Sequence, residues 1–228
     1  MRVSRSFAAA AFLFVIGASA QAASPANPAV VELFTSQGCS SCPPADANLV
    51  VLAKRPDVLA LSFHVTYWDQ LGWKDTFDSP AYTERQSDYE GPLSESGPFT
   101  PQVVVDGAKD TVGNVLSDIE KLIAQSNRMN APTMVLSNSG VSIGARPGGS
   151  ADVWLVRYDP RVVQIPISRG ENSGTTQPQV NVVHVLTNLG AWKGAQASFP
   201  IAPAPAGLKT AILLQRGRGG PIIAVARD

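Results

Sequence analysis

The sequence predicts an α/β domain over residues 28–130, followed by a β-rich, antiparallel sandwich-like domain over 131–228. Three observations carry that reading. A β-branched run, Val30-Val31-Glu32-Leu33-Phe34-Thr35, is followed by a helical pattern and then by a second apolar run from Val58 to Val65. That order makes a right-handed, parallel strand–helix–strand unit. An apolar stripe at Val115, Ile119, Leu122 and Ile123 has helical spacing and closes the first domain near residue 129. After Pro132 the chain turns to short alternating runs separated by turn residues, the signature of antiparallel sheets.

Residues 1–22 read as a cleavable secretory leader. Arg2 and Arg5 give a positive start, and the apolar run from Phe7 to Ala18 is too short to span a bilayer comfortably. Small residues at Ala18-Ser19-Ala20 and Ala20-Gln21-Ala22 predict cleavage after Ala20 or Ala22. Gly38 then breaks the first strand just before Cys39. Pro43 and Pro44 suit a first helical turn, where a missing N–H leaves no bond unmade. Leu49, Leu52 and Ala53 recur at helical spacing until Pro56, and Val58 to Val65 is the next strand. Thr66 to Pro98 is aromatic, polar and less regular. It contains a helix start at Asp78-Ser79-Pro80 and a short helix over 81–89 with Tyr82, Arg85 and Tyr89 on related faces.

Phe99-Thr100-Pro101-Gln102 leads into the strand Val103-Val104-Val105, a turn at Asp106-Gly107 and a helix over 114–127. Later strands are expected at 134–136, 141–143, 153–158, 162–167, 180–186, 208–215 and 221–225. Asn138-Ser139-Gly140, Arg146-Pro147-Gly148-Gly149 and Asp159-Pro160 are turn chemistry between them. So is the glycine-rich Gly217-Arg218-Gly219-Gly220, which lies between strands and reads as a turn, not a phosphate cradle. Pro200 to Ala206 is a surface loop.

Composition narrows the function classes. A hydrophobic fraction of 44% fits a packed globular protein. Basic and acidic residues number 18 each, and removing Arg2 and Arg5 with the leader leaves 16 against 18. That mildly acidic balance predicts neither a nucleic-acid partner nor an anionic membrane surface. No second apolar stretch is long enough for a membrane helix, so no membrane insertion is expected once the leader is gone. Walker-type, zinc-protease and calcium-loop motifs are missing from the sequence.

Both cysteines of the chain lie in Cys39-Ser40-Ser41-Cys42, in a protein addressed to an oxidising compartment. A bridge across so small a loop removes little entropy from the unfolded chain, so reactivity explains the pair better than stapling does. Zinc sites also use Cys-x-x-Cys, so context matters. Here the pair follows a buried strand, opens a helix, and precedes a Thr-Pro and Val-rich strand some sixty residues on. Unpaired N–H groups and the helix dipole favour thiolate at such a position. Cys39, nearer the strand end and solvent, is the expected attacking thiolate, and the more buried Cys42 is the expected resolving thiol.

The order strand, Cys-x-x-Cys, helix, strand, then Thr100-Pro101 before a strand, resembles the thioredoxin superfamily. The resemblance implies a thioredoxin-like first domain in which Pro101 is cis and packs beside the cysteines. It also implies that Thr100 offers backbone groups to a substrate strand. The runs Cys39-Ser-Ser-Cys-Pro-Pro-Ala-Asp46, Tyr67-Trp-Asp69, Gly72-Trp73, Arg85-Gln86, Thr100-Pro-Gln102 and Gly170-Glu-Asn172 are similar to the domain of unknown function 1223 family of exported proteins. That likeness covers nearly all of the mature chain and implies a fold and a compartment, without a reaction. Two departures from the better-known oxidoreductases stand out. The intervening pair is Ser40-Ser41, and the long Cys42 to Pro101 spacing implies an insertion holding Tyr67, Trp68, Asp69 and Trp73.

The resulting expectation is an exported, periplasmic or secreted thiol–disulfide oxidoreductase acting on protein or small thiol substrates, with no cofactor or metal. Cys39, Cys42 and Pro101 are its candidate catalytic residues. Thr100, Trp68 and Trp73 are candidates for substrate binding, although the tryptophans could equally pack the insertion onto the domain. His64 either modulates the thiolate or is a core histidine satisfied by hydrogen bonds, the reading favoured here. Asp46 reads as a solvated charge, with proton transfer as the alternative. Gly170 to Gly174 is a polar hairpin loop or an ion- or partner-binding one. Two other functions remain open from sequence: Cu(I) held by Cys39, Cys42 and His64, and a non-catalytic binding module centred on the β-rich half.

Overall fold

The computed structural model describes residues 23–128 and 130–228, so the leader predicted at 1–22 lies outside the described residues. The first half holds β1 (Ala29–Thr35), α1 (Pro43–Leu52), β2 (Val58–His64), α2 (Pro80–Leu93), β3 (Gln102–Val105), β4 (Lys109–Val112) and α3 (Leu116–Ala124). The second adds β5 (Met134–Ser137), β6 (Gly140–Ile143), β7 (Ala151–Asp159), β8 (Val163–Pro166) and β9 (Thr176–Gln179). It continues with β10 (Val182–Trp192), β11 (Ala197–Pro200), β12 (Lys209–Gln215) and β13 (Ile222–Arg227). No described helix is long and apolar enough to cross a membrane.

One eight-stranded mixed sheet, ordered β13-β12-β7-β10-β2-β1-β3-β4, runs through both halves. β1 and β2 are parallel, and β3 and β4 continue antiparallel from β1. β10 meets β2 in parallel at Val182 and Ser62, and β7, β12 and β13 extend the sheet antiparallel beyond it. A three-stranded antiparallel sheet, β11-β6-β5, and the β8–β9 hairpin are the other sheets among the described residues.

The antiparallel pairing expected of the second half is present, but its four longest strands extend the first half's sheet. The reason is legible in β2. All seven of its residues are buried, so it cannot end a sheet, and β10 supplies its second neighbour.

Alternation along β1 sends successive side chains to opposite faces. Val31 and Leu33 face α1 and α3, where Leu49, Leu52, Ile119 and Ile123 cover them. Phe34 faces α2 and joins Phe63, Tyr82 and Tyr89, with Val156, Val183 and Leu213 of the second half in the same cluster. Val141 and Ile143 of the small sheet pack on Val153, Trp192, Ile212 and Leu214 of the large one. Helix α2 starts where expected, with Pro80 in its first turn and the Ser79 hydroxyl accepting from Ala81 N at 3.3 Å. It runs past Tyr89 to Leu93. The expected helix over 114–127 is shorter, Leu116–Ala124.

Candidate functional site

The carboxyl ends of β1 and β2 meet the start of α1. Ser36, Gln37 and Gly38 carry the chain from β1 to Cys39, and Cys42 is the residue that caps α1, followed by Pro43 and Pro44. Cys39 and Cys42 are joined in a disulfide, with their Cα atoms 5.4 Å apart. Both are wholly buried. Cys39 was expected to face solvent; instead the insertion and the β3 approach roof it over. The Thr100 hydroxyl lies 3.2 Å from Cys39 Sγ, and Trp68 Nε1 donates to that hydroxyl at 2.8 Å. Ser41 Oγ lies 3.3 Å from the same sulfur and 3.3 Å from the Thr100 carbonyl. The Thr100–Pro101 peptide is cis and Pro101 is buried. A Cβ on Gly38 would stand 3.3 Å from Trp68 Cβ, so glycine lets the tryptophan close over the loop.

Beneath the disulfide lies a buried polar cluster centred on Gln37. Its N–H donates to Asp75 Oδ2 at 2.7 Å, and its side-chain carbonyl accepts from Trp73 Nε1 at 2.9 Å and Thr76 N at 3.2 Å. Asp75 Oδ2 also lies 2.8 Å from His64 Nδ1, while His64 Nε2 lies 3.2 Å from Ser62 Oγ. Burial works against a charged imidazole, but Asp75, with help from Asp46, outweighs it and holds His64 above its ordinary range. Burial likewise opposes the Asp75 carboxylate, and His64 together with the Gln37 and Phe77 N–H groups holds it below its ordinary range.

His64 is thus a core histidine with both ring nitrogens engaged. Among the described residues no three His, Cys, Asp or Glu side chains are grouped to hold a metal ion, so His64 is not brought to the cysteines as a third ligand.

Asp46 corrects the sequence reading. It is 2% exposed rather than solvated, and sits one turn beyond Cys42 on the buried face of α1. Thr35 Oγ1 donates to one carboxylate oxygen at 2.9 Å and Gln179 Nε2 approaches the other at 3.4 Å. Burial raises its pKa to about 7, against the opposing pull of His64 and these hydrogen bonds.

The β8–β9 hairpin reaches this site across more than 130 residues of sequence. Asn172 Nδ2 donates to the Gln37 and Cys39 carbonyls at 2.9 and 2.8 Å, using both of its protons. Glu171 accepts from Ser40 N at 3.4 Å, and Gln177 Nε2 approaches the Gln37 carbonyl at 3.5 Å. Sequence reasoning marked the Gly170-Glu171-Asn172 loop without assigning it, and missed Gln37, Asp75, Gln177 and Gln179. Trp68 and Trp73 are both half-buried at the site. Trp68 roofs the sulfur and Trp73 braces Gln37. By contrast, a cavity of about 430 Å³ lined by Lys54, Arg55, Tyr158, Lys209 and Arg227 lies at the opposite end of β2.

The family model described as a protein of unknown function, DUF1223, matches residues 30–215, a span that includes every loop of this site. The chain belongs to the DUF1223 family. This DUF1223 protein is similar to the solved structure of protein AGR_C_4864 from Agrobacterium tumefaciens, at 31% identity and a TM-score of 0.72. The match covers 87% of this chain and 92% of that one. HBP35 of Porphyromonas gingivalis shares the fold at a TM-score of 0.57 and 12% identity, over 89% of this chain and 74% of that one. No curated protein matches the chain.

Proposed function

We propose that this DUF1223 protein is an exported thiol–disulfide oxidoreductase whose first half has a thioredoxin-like fold. The fold reading is supported by the parallel β1–α1–β2 unit, the antiparallel β3–β4 pair beside β1, and the cis Thr100–Pro101 bond facing the cysteines. The observation that carries the functional reading is the Cys39–Cys42 disulfide, set at a strand–helix junction with the Thr100 hydroxyl 3.2 Å from its first sulfur. A bridge between residues three apart removes only about 2 kcal/mol of unfolded-state entropy, a weak reason to keep it as a staple.

In the reducing direction, the Cys39 thiolate attacks one sulfur of a protein or small-molecule disulfide. The substrate S–S bond breaks as the mixed disulfide forms, and the first substrate thiolate leaves and takes a proton. Cys42 then gives up its proton and attacks the Cys39 sulfur. The second substrate thiol departs, and two electrons have passed from protein to substrate. Oxidation of a dithiol runs the same steps backward, and the thiols alone supply or accept the electrons.

Asp46, one turn beyond Cys42 with a pKa near neutrality, is the group suited to take and return the Cys42 proton. Asp75 and His64 hold Gln37, and through it the loop that carries Cys39. Thr100, Trp68 and Trp73 line the approach to the sulfur. Export to the periplasm or the cell exterior rests on the leader at 1–22.

Disulfide exchange with a small aromatic disulfide and with a scrambled disulfide protein tests the reading. Wild-type protein is expected to accelerate both, and Cys39→Ser to fall to the uncatalysed rate. A Cys39→Ser variant as active as wild type would overturn it.

A further inference from the structure

The first turn of α1 cannot supply the Cys39 sulfur with its usual donors. Pro43 and Pro44 have no N–H, Cys42 N donates to the Cys39 carbonyl at 3.2 Å, and Ala45 and Asp46 N both donate to the Cys42 carbonyl. The donors placed within reach of the Cys39 sulfur are instead side-chain hydroxyls. Ser41 and Thr100 are in reach, at 3.3 and 3.2 Å. Ser41 has one proton, and the Thr100 carbonyl, also 3.3 Å away, competes for it.

The Thr100 hydroxyl is held differently, although the Tyr67 phenol also lies within its reach. An indole N–H only donates, so Trp68 Nε1, at 2.8 Å, occupies a lone pair of the Thr100 hydroxyl and leaves its proton free to point at the sulfur.

We propose that Trp68 is a positioning residue that sets the acidity of Cys39 by orienting the Thr100 hydroxyl as a donor to its thiolate. The inference rests on the oxidoreductase reading and says which residues tune its nucleophile. Chains of hydrogen bonds polarise one another, and a bond to a charged acceptor is about twice as strong as a neutral one. Stabilising the thiolate lowers the Cys39 pKa and stabilises the reduced protein, so the pair becomes a stronger oxidant. The device comes from the insertion between β2 and α2, where Trp68 resides. The titratable groups around the pair are Asp46 on α1, His64 on β2, Tyr67 and Asp75 in the insertion and Glu171 on the β8–β9 hairpin. The Trp68 ring lies 6.4 Å from that of Tyr67, so Trp68→Phe keeps an aromatic ring beside it while removing the indole donor.

The test is a pH titration of thiolate absorbance in the reduced protein, with Cys42→Ala as the background so that one thiol is read. Trp68→Phe and Thr100→Val are each expected to lower the acid dissociation constant of Cys39 by about tenfold. The double variant should show no further loss, and Thr100→Ser should titrate within about twofold of wild type. Thermal unfolding of each variant checks that the fold is kept. The relay is overturned if Trp68→Phe leaves the constant unchanged while Thr100→Val lowers it, or if the two effects multiply. The measurement involves no substrate. Failure of exchange activity would sink the oxidoreductase reading and leave the relay standing, whereas an unmoved titration would sink the relay alone.

Discussion

Two buried carboxylates on opposite sides of the large sheet are treated in opposite ways. Glu32 projects from β1 toward α2. There Arg85 Nε donates to it at 2.6 Å and the Tyr89 hydroxyl donates to its second oxygen. Gln215 closes the network with bonds to Arg85 at 3.2 Å and to Tyr89 at 3.0 Å, and the Arg85 guanidinium lies over the rings of Phe63, Tyr89 and Trp154. Burial keeps the Tyr89 phenol neutral, a fixed donor.

Asp46, on α1 across the sheet, has no arginine or lysine partner among the described residues. Its partners are a threonine hydroxyl, a glutamine amide and the nearby charge of His64. The lesson is one of compensation. A fully paired charge fixes structure, whereas an under-compensated one keeps a proton available near neutral pH, and this one sits beside the disulfide.

The comparison breaks most readily at Arg85. Arg85→Met leaves Glu32 buried without its cation and is expected to cost about 3–5 kcal/mol in urea unfolding. Replacing both residues, Glu32→Leu with Arg85→Met, should recover most of that loss. If Arg85→Met alone unfolds like wild type, the Glu32 network is not the fixed half of the comparison.

A smaller effect, opposite in sign, is expected at Asp46. Its pKa is raised from 3.8 to about 7 on folding, so between those values the folded protein holds a proton that the unfolded chain has released. Stability then falls as pH rises through that window and levels off above it. His64 acts in the same direction, because its raised pKa favours the folded state at acid pH and that contribution is lost as pH climbs above its folded value. Asp75 is lowered, so its contribution is lost only in strong acid. The protein should therefore be most stable near pH 5. Asp46→Asn should be more stable than wild type by about 2–4 kcal/mol at pH 8, with the difference closing toward pH 4. Parallel pH–stability curves for the two proteins would show that Asp46 is ionised in the fold.

Much of this was legible in local pattern. Val30 to Thr35, Cys39 to Cys42 and Val58 to Val65 announced the parallel unit, and Thr100-Pro101 marked the segment that faces the sulfur. Asp46 was misread as a solvated charge, although its helix position argued for burial. It stands four residues after Cys42 and three before Leu49, on the helix stripe that packs inward.

What stayed hidden depends on distant partners. β4 and β9, Lys-Asp-Thr-Val and Thr-Gln-Pro-Gln, have no apolar alternation and are held in place by the backbones of neighbouring strands. Asn172 meets Cys39 across 133 residues, a contact no periodicity encodes. β10 joins β2 through one ladder pair, Val182 with Ser62, and through Asn181, whose carbonyl accepts from Ser62 N and whose side chain donates to the Ala60 carbonyl, so no long pattern hinted that both halves share a sheet.

The most direct test of the central claim is the equilibrium reduction potential of the Cys39–Cys42 couple, read by thiol alkylation in glutathione buffers. The oxidoreductase account predicts a value within the range of working exchangers, about −120 to −270 mV. A value below about −300 mV would make the pair a structural bridge and contradict the account.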